Sequence, residues 1–165
     1  YDGVAAHDPP PKTAPGAVML YSPVAGEAFD DLNGFLRYNG DLTPRHTEVS
    51  IPVAAFEIEQ QYEWSALEPA ALRYGAPQAV IDTIKYDRAP SGLSREETLI
   101  INFGRQLMRE HKVDSALFAE LVEVFGKKGT VELATVMGDY VMAGMVLTTI
   151  EQHLPADRSA LLPPR

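Results

Sequence analysis

Cysteine is absent from the 165 residues. That removes disulfides, thiolate metal sites and thiol redox chemistry together. Concentrated positive charge is missing as well: fourteen Lys and Arg stand against twenty-three Asp and Glu, a net charge of −9, with no basic run or face. Such a surface repels phosphate backbones and anionic lipid, so neither nucleic acid nor a membrane is an expected partner. Histidine is scarce, and His7, His46, His111 and His153 include no i,i+4 pair and no HExxH pattern. His46 and Glu48 stand two apart, which on a helix separates them by about 200° around the axis. No metal site is therefore expected. Phosphate-binding glycine loops and a GxSxG nucleophile elbow are also lacking, and with them any sign of a nucleotide cofactor or a serine nucleophile. No leader pattern is visible at the start of the sequence, so the cytoplasm is the default expectation.

What is present has helical period almost throughout. The reading is one all-α domain over residues 1–165 with six or seven helices, flanked by proline-rich arms at 1–22 and 155–165 that are either frayed or laid over the body or a neighbouring subunit. In 25–40, Phe29, Leu32, Phe35 and Leu36 form one apolar stripe and Asn39-Gly40 a stop. Thr43 and Pro44 open a long helical segment that closes on Gly75, with Pro52 expected to kink or split it. A short helix at 77–87 places Val80, Ile81 and Ile84 together, and Ser94 with Glu97 makes a capping box ahead of Ile100, Phe103 and Leu107. Asp114 caps the next helix, whose expected stripe is Phe118, Leu121, Val122 and Phe125 before a stop at Gly126. The last helix, 130–154, is apolar nearly all round, and Gly138 and Gly144 would admit a close neighbour in the bundle or at a subunit interface. Asp139 in mid-run argues against a membrane span.

Chemistry gathers on 57–67. Glu59, Gln60 and Glu63 share a face that Leu67 continues, beside Tyr62 and Trp64. A solvated face would explain the acids. Burial would instead raise their proton affinity and suit general acid–base work, with Tyr62 as a donor to an oxyanion and Trp64 as a wall for a flat ring.

The run 42–84 resembles the carboxymuconolactone decarboxylase family, which includes the alkylhydroperoxidase AhpD-like proteins. The matching elements are Arg45 and Glu48, then Gln61-Tyr62-Glu63-Trp64, then Gly75 and the stretch from Val80 to Ile84. The resemblance implies an AhpD-like helical bundle, a homo-oligomer between dimer and hexamer, and a small-molecule substrate. Redox members carry two cysteines where Gln60 and Glu63 stand, and many members a relay histidine where Leu67 stands, so thiol peroxidase chemistry does not carry over. What the resemblance leaves is a cofactor-independent enzyme acting on a small aromatic-derived or lactone-like acid by decarboxylation or related proton transfer. Glu48 is then the first acid–base group, Tyr62 and Glu63 secondary donors, and Arg45, His46, Gln60, Trp64 and Leu67 the substrate-binding set. The competing readings are a thiol-independent oxidoreductase using peroxide or oxygen, with or without a metal, and a non-catalytic oligomeric binding protein.

Overall fold

The computed structural model describes residues 15–163, and within them the chain is all-helical. The proline-rich stretch 7–14 lies outside the described residues. Seven α-helices follow in order: α1 Gly16–Met19, α2 Pro23–Tyr38, α3 Pro44–Glu57, α4 Gln61–Arg73, α5 Gln78–Lys85, α6 Arg95–Arg105 and α7 Ser115–Thr149. A π-helical turn, Gln106–Glu110, extends α6. Gly126, at φ 70°, breaks α7 into a short leading piece and the long apolar helix that follows.

Local signals set most of the boundaries. Thr43 accepts the His46 N–H, Asp114 that of Leu117, and Ser94 and Glu97 exchange the two bonds of a capping box. Pro52 does not split the segment: helical geometry runs through it, and the division comes later, between Glu57 and Gln61. There Glu59 takes a left-handed conformation (φ 54°), its N–H bonds the Phe56 carbonyl, and the Gln60 N–H reaches back to Ala55. Those two bonds are a Schellman ending, which satisfies the last carbonyls of α3 without a glycine. Glu59 thus projects from a turn to solvent and does not share a helical face with Glu63.

Helix α3 is the hub. It packs on α4, α5, α6 and α7, and Val49, Ile51, Val53, Ala54 and Ala55 are at most 1% exposed. Such all-round burial explains why its apolar residues form no single stripe. Around it lie Trp64 and Ala71 of α4, Val80, Ile81 and Ile84 of α5, Ile100 and Ile101 of α6, and Leu133, Val136 and Met137 of α7. Two expected stripes are rotated. On α2 the face turned inward is Gly26, Phe29 and Leu36, with Asn33 and Arg37 beside them, while Leu32 and Phe35 stay exposed. Early in α7, Leu117 and Leu121 are buried and Phe118 is out in solvent.

Beyond α7, the stretch 158–162 lies over the body. Gln61 grips it through three bonds, donating to the Leu162 carbonyl and accepting from the Leu161 and Leu162 N–H groups, and the Arg158 guanidinium sits 5.6 Å from the centre of the Tyr62 ring.

Gly144 is where α7 meets the start of α4. A Cβ there would fall 2.2 Å from Ile58 Cδ1. Gly138 faces outward with nothing within 4 Å, so among the described residues only one of the two expected close approaches is made. Gly144→Ala must displace the tip of the Ile58 side chain, which offsets the helix gain of a Cβ, so it is expected to leave the fold less stable than Gly34→Ala does. Gly34→Ala, at a helical position with open space around it, should instead gain roughly 0.5–1 kcal/mol. Urea unfolding midpoints of the two variants check the contrast.

Candidate functional site

Carboxylates are almost never fully buried without a partner. Here Glu48, Glu63 and Asp139 are 4%, 5% and 3% exposed, and they belong to one connected set where α2, α3, α4 and α7 meet. Arg37 of α2 donates to Glu48 Oε1 at 2.5 Å and to the Tyr140 hydroxyl at 3.3 Å. One turn earlier, Asn33 donates to Asp139 Oδ2 at 2.7 Å. Asp139 in turn acts on Glu63 across the gap between α7 and α4.

The set is only half satisfied. Six buried side-chain polar atoms lack a hydrogen-bond partner among the described residues, and four of them are here: Arg37 Nε, Glu48 Oε2, Glu63 Oε2 and Asp139 Oδ1. Each such atom costs about 1–3 kcal/mol of desolvation, and well-packed apolar side chains would carry no such cost. Stability alone does not account for the arrangement, which makes the cluster the candidate site of this fold.

Burial, and after it the charge of Asp139, pushes the Glu63 carboxyl from 4.5 up to about 8. Burial also raises Asp139, against which the Asn33 bond works, and it raises the Tyr140 hydroxyl. Glu63 therefore carries a proton at neutral pH. Its place on α4 explains why nothing neutralises it sooner. It is the third residue after the cap Gln60, where a Glu ordinarily bonds back to the cap N–H, but that N–H is already engaged by Ala55. The Gln60 side chain meanwhile accepts from Tyr62 N and donates to the Gly144 carbonyl and Thr148 Oγ1, tying α4 to α7 beside Glu63.

The other residues expected at a site are placed differently. Arg45 is held by the Glu97 carboxylate at the start of α6, and the His46 ring packs edge-on against Phe125, 5.2 Å between centres, so neither guanidinium nor imidazole joins Glu48. Desolvation lowers the His46 proton affinity. Trp64 is fully enclosed, stacks edge-on with Phe56 and donates its indole N–H to Glu68, and Leu67 is a core residue. Tyr62 is buried beneath Arg158, beside the chain terminus. Asn33, Arg37, Asp139 and Tyr140 come from helices outside the segment that drew attention in the sequence. A polar pair, Asn33 and Arg37, on the same side of α2 as Phe29 and Leu36 was the available signal.

Two described clefts, each of about 440 Å³, open elsewhere. One lies between Phe56, Gln61, Lys85, Tyr86 and the terminal Leu161–Pro163 strand of chain, the other beside Thr83, Arg88 and Leu93. Among the described residues no three His, Asp or Glu side chains are grouped to hold a metal ion. No protein-family model matches the chain, and no curated protein matches it. The class defined by these observations is an all-helical protein with a buried, partly unsatisfied carboxyl cluster.

A proton held more tightly by the folded than by the unfolded chain stabilises the fold below the unfolded value and is lost as pH rises through the folded one. For Glu63 that window runs from about 4.5 to about 8. Thermal midpoints are therefore expected to fall across this range, and Glu63→Gln, which keeps a neutral side chain, to flatten the slope. Arg37→Met should destabilise by about 3–5 kcal/mol, because it strands the Glu48 charge; Arg37→Met with Glu48→Gln should recover most of that loss in chemical denaturation.

Proposed function

We propose that the chain is a cofactor-independent proton-transfer enzyme of the carboxymuconolactone decarboxylase type, acting on a small aromatic-derived or lactone-like acid. The observation that carries this reading is Glu63: a buried carboxyl that is neutral at pH 7, with an oxygen bonded to nothing in the described chain. A neutral buried acid is what a general acid must be before it acts. In a decarboxylation the bond to the carboxylate breaks, its electron pair passes into a conjugated carbonyl to give an enolate, and CO₂ leaves. Glu63 then delivers its proton to the enolate carbon and regains one from water.

Glu48 takes a different part from that expected of it, since Arg37 holds one of its oxygens. In this reading Glu48 fixes the guanidinium, and Arg37 with the Tyr140 hydroxyl faces the negative charge that develops on the enolate oxygen. Tyr140 thereby replaces Tyr62 as the phenol nearest the chemistry. The enzyme works as a homo-oligomer in the same reading. Its support is an outward stripe on α7, Val131, Thr135, Gly138, Met142, Met145 and Thr149, which has heptad spacing and no charge in a chain of net charge −9. One observation favours the non-catalytic alternative: neither 440 Å³ cleft is lined by Glu48, Glu63 or Asp139.

Turnover on a panel of phenolic acids and unsaturated lactones decides between them. The expected result is wild-type turnover whose kcat/KM falls above about pH 8, as Glu63 loses its proton. Glu63→Gln should lower kcat by at least about 100-fold. Equal turnover by wild type and Glu63→Gln removes the acid from the reaction, and no turnover by wild type leaves the binding protein.

A further inference from the structure

Glu63 lines neither 440 Å³ cleft, yet a thin layer of side chains separates it from the surface. The residue is buried, and its Oε2 atom has no hydrogen-bond partner among the described residues. That atom lies 3.4 Å from where a Cβ would stand on Gly144, so the carboxyl points into the notch that the missing side chain leaves on α7. The tip of Ile58, its Cδ1 atom, fills the notch 2.2 Å from the same point, and Gln60 Cγ borders it at 3.5 Å. Solvent begins just beyond. Ile58 is only half-buried, Met145 and Thr148 of α7 are exposed, and the Gln60 amide donates to the Thr148 hydroxyl at 3.0 Å.

We propose that the notch over Gly144 is the entrance to Glu63 and that Ile58 is its gate: a small ligand reaches the carboxyl by displacing the Ile58 tip. Ile58 closes α3, directly before the left-handed Glu59, so no further helical turn packs over it. A side chain that reaches solvent changes rotamer in picoseconds to nanoseconds, and turning this tip outward leaves the backbones of α3 and α7 where they are. Gly144 supplies the room, because any side chain at that position would stand in the path. Whatever replaces the tip must be narrow and end on a hydrogen-bond acceptor such as a carbonyl oxygen, since the carboxyl it meets carries a proton at neutral pH and the Gln60 amide beside it is already engaged. That this ligand is the substrate rests on the proposed function; the entrance does not.

Carbodiimide footprinting of the full chain tests the entrance without a known ligand. A water-soluble carbodiimide adds to a protonated carboxyl it can reach, glycinamide captures the adduct as an amide, and peptide mass spectrometry reads the rate at each residue. Ile58→Val deletes only Cδ1, the atom in the notch, and should speed labelling of Glu63 several-fold, while Ile58→Ala should speed it at least about tenfold. Ile58→Val carries the test if Ile58→Ala fails to fold by circular dichroism. The internal reference is Glu132, a buried carboxyl held by the Asp41 N–H about three turns earlier on α7, whose rate should stay as in wild type. A Glu63 rate unchanged in the folded variants overturns the proposal, and so does a rise matched at Glu132, because the variants would then loosen the fold as a whole. Turnover separates this from the functional reading: selective labelling with an inactive wild type sinks the enzyme and keeps the entrance, whereas an active wild type with unchanged or unselective labelling does the reverse.

Discussion

A carboxyl driven into a helix junction faces one constraint, the loss of water around its charge, and the interior of this protein is arranged around how that loss is met. Moving the Glu63 proton affinity from 4.5 to about 8 corresponds to a penalty on the charged form on the order of 4–5 kcal/mol. That is comparable with the whole net stability of many small domains. The chain meets the constraint in two ways. Glu48 is given a guanidinium and stays within an ion pair, while Glu63 is given none and keeps its proton. One junction thus holds a fixed charge pair beside a removable proton, which is the division of labour that acid–base chemistry needs.

Helix α2 makes that division possible. Its inward face is mixed, with Phe29 and Leu36 gripping the bundle and Asn33 and Arg37 delivering one donor to each half of the cluster. Turning that face inward leaves Leu32 and Phe35 exposed, next to a helix whose own outer stripe is uncharged. The rotation is a direct trade: two apolar side chains stay in water so that two polar ones can reach buried carboxyls. A helix placed only by hydrophobic burial would have made the opposite choice, at roughly 1.5–3 kcal/mol for each large apolar side chain buried.

Much of the fold was legible because caps and stops are local. Thr43, Ser94 with Glu97, Asp114, Gly75 and Gly126 each act within a turn, and each stands where its chemistry predicts. The break in the long segment was misplaced at Pro52 for a related reason. Four helices end on the same paired Schellman bonds, with Glu59, Gly75, Asp87 and Glu151 in the left-handed position, and only one of the four is the glycine that a reader looks for. An acidic side chain there gives no sequence signal. For the site, burial of Glu63 was foreseeable from Leu67 and the aromatics around it, whereas Asn33, Arg37, Asp139 and Tyr140 were not. They lie some 25 residues before or 75 after the segment that carries Glu63, and helical period alone does not reveal which helices will cross.

Glu63 and Glu97 show how a backbone detail decides whether a buried carboxyl is charged. Both are third residues of their helices, where the dipole favours a negative charge by about 0.3–1 kcal/mol. Burial alone would raise Glu97 too, yet it closes the Ser94 capping box, takes the Arg45 guanidinium and falls below the usual carboxylate range. Glu63 has no such outlet. The three-residue break after α3 spends the Gln60 N–H on the Ala55 carbonyl, so the cap that would have charged and exposed Glu63 never forms. Its carboxyl turns toward Gly144 and Asp139, where desolvation exceeds the dipole term several-fold and the proton stays on. The acid of this site is thus a product of the way α3 ends, at a turn whose left-handed residue, Glu59, carries no chemistry of its own in the cluster.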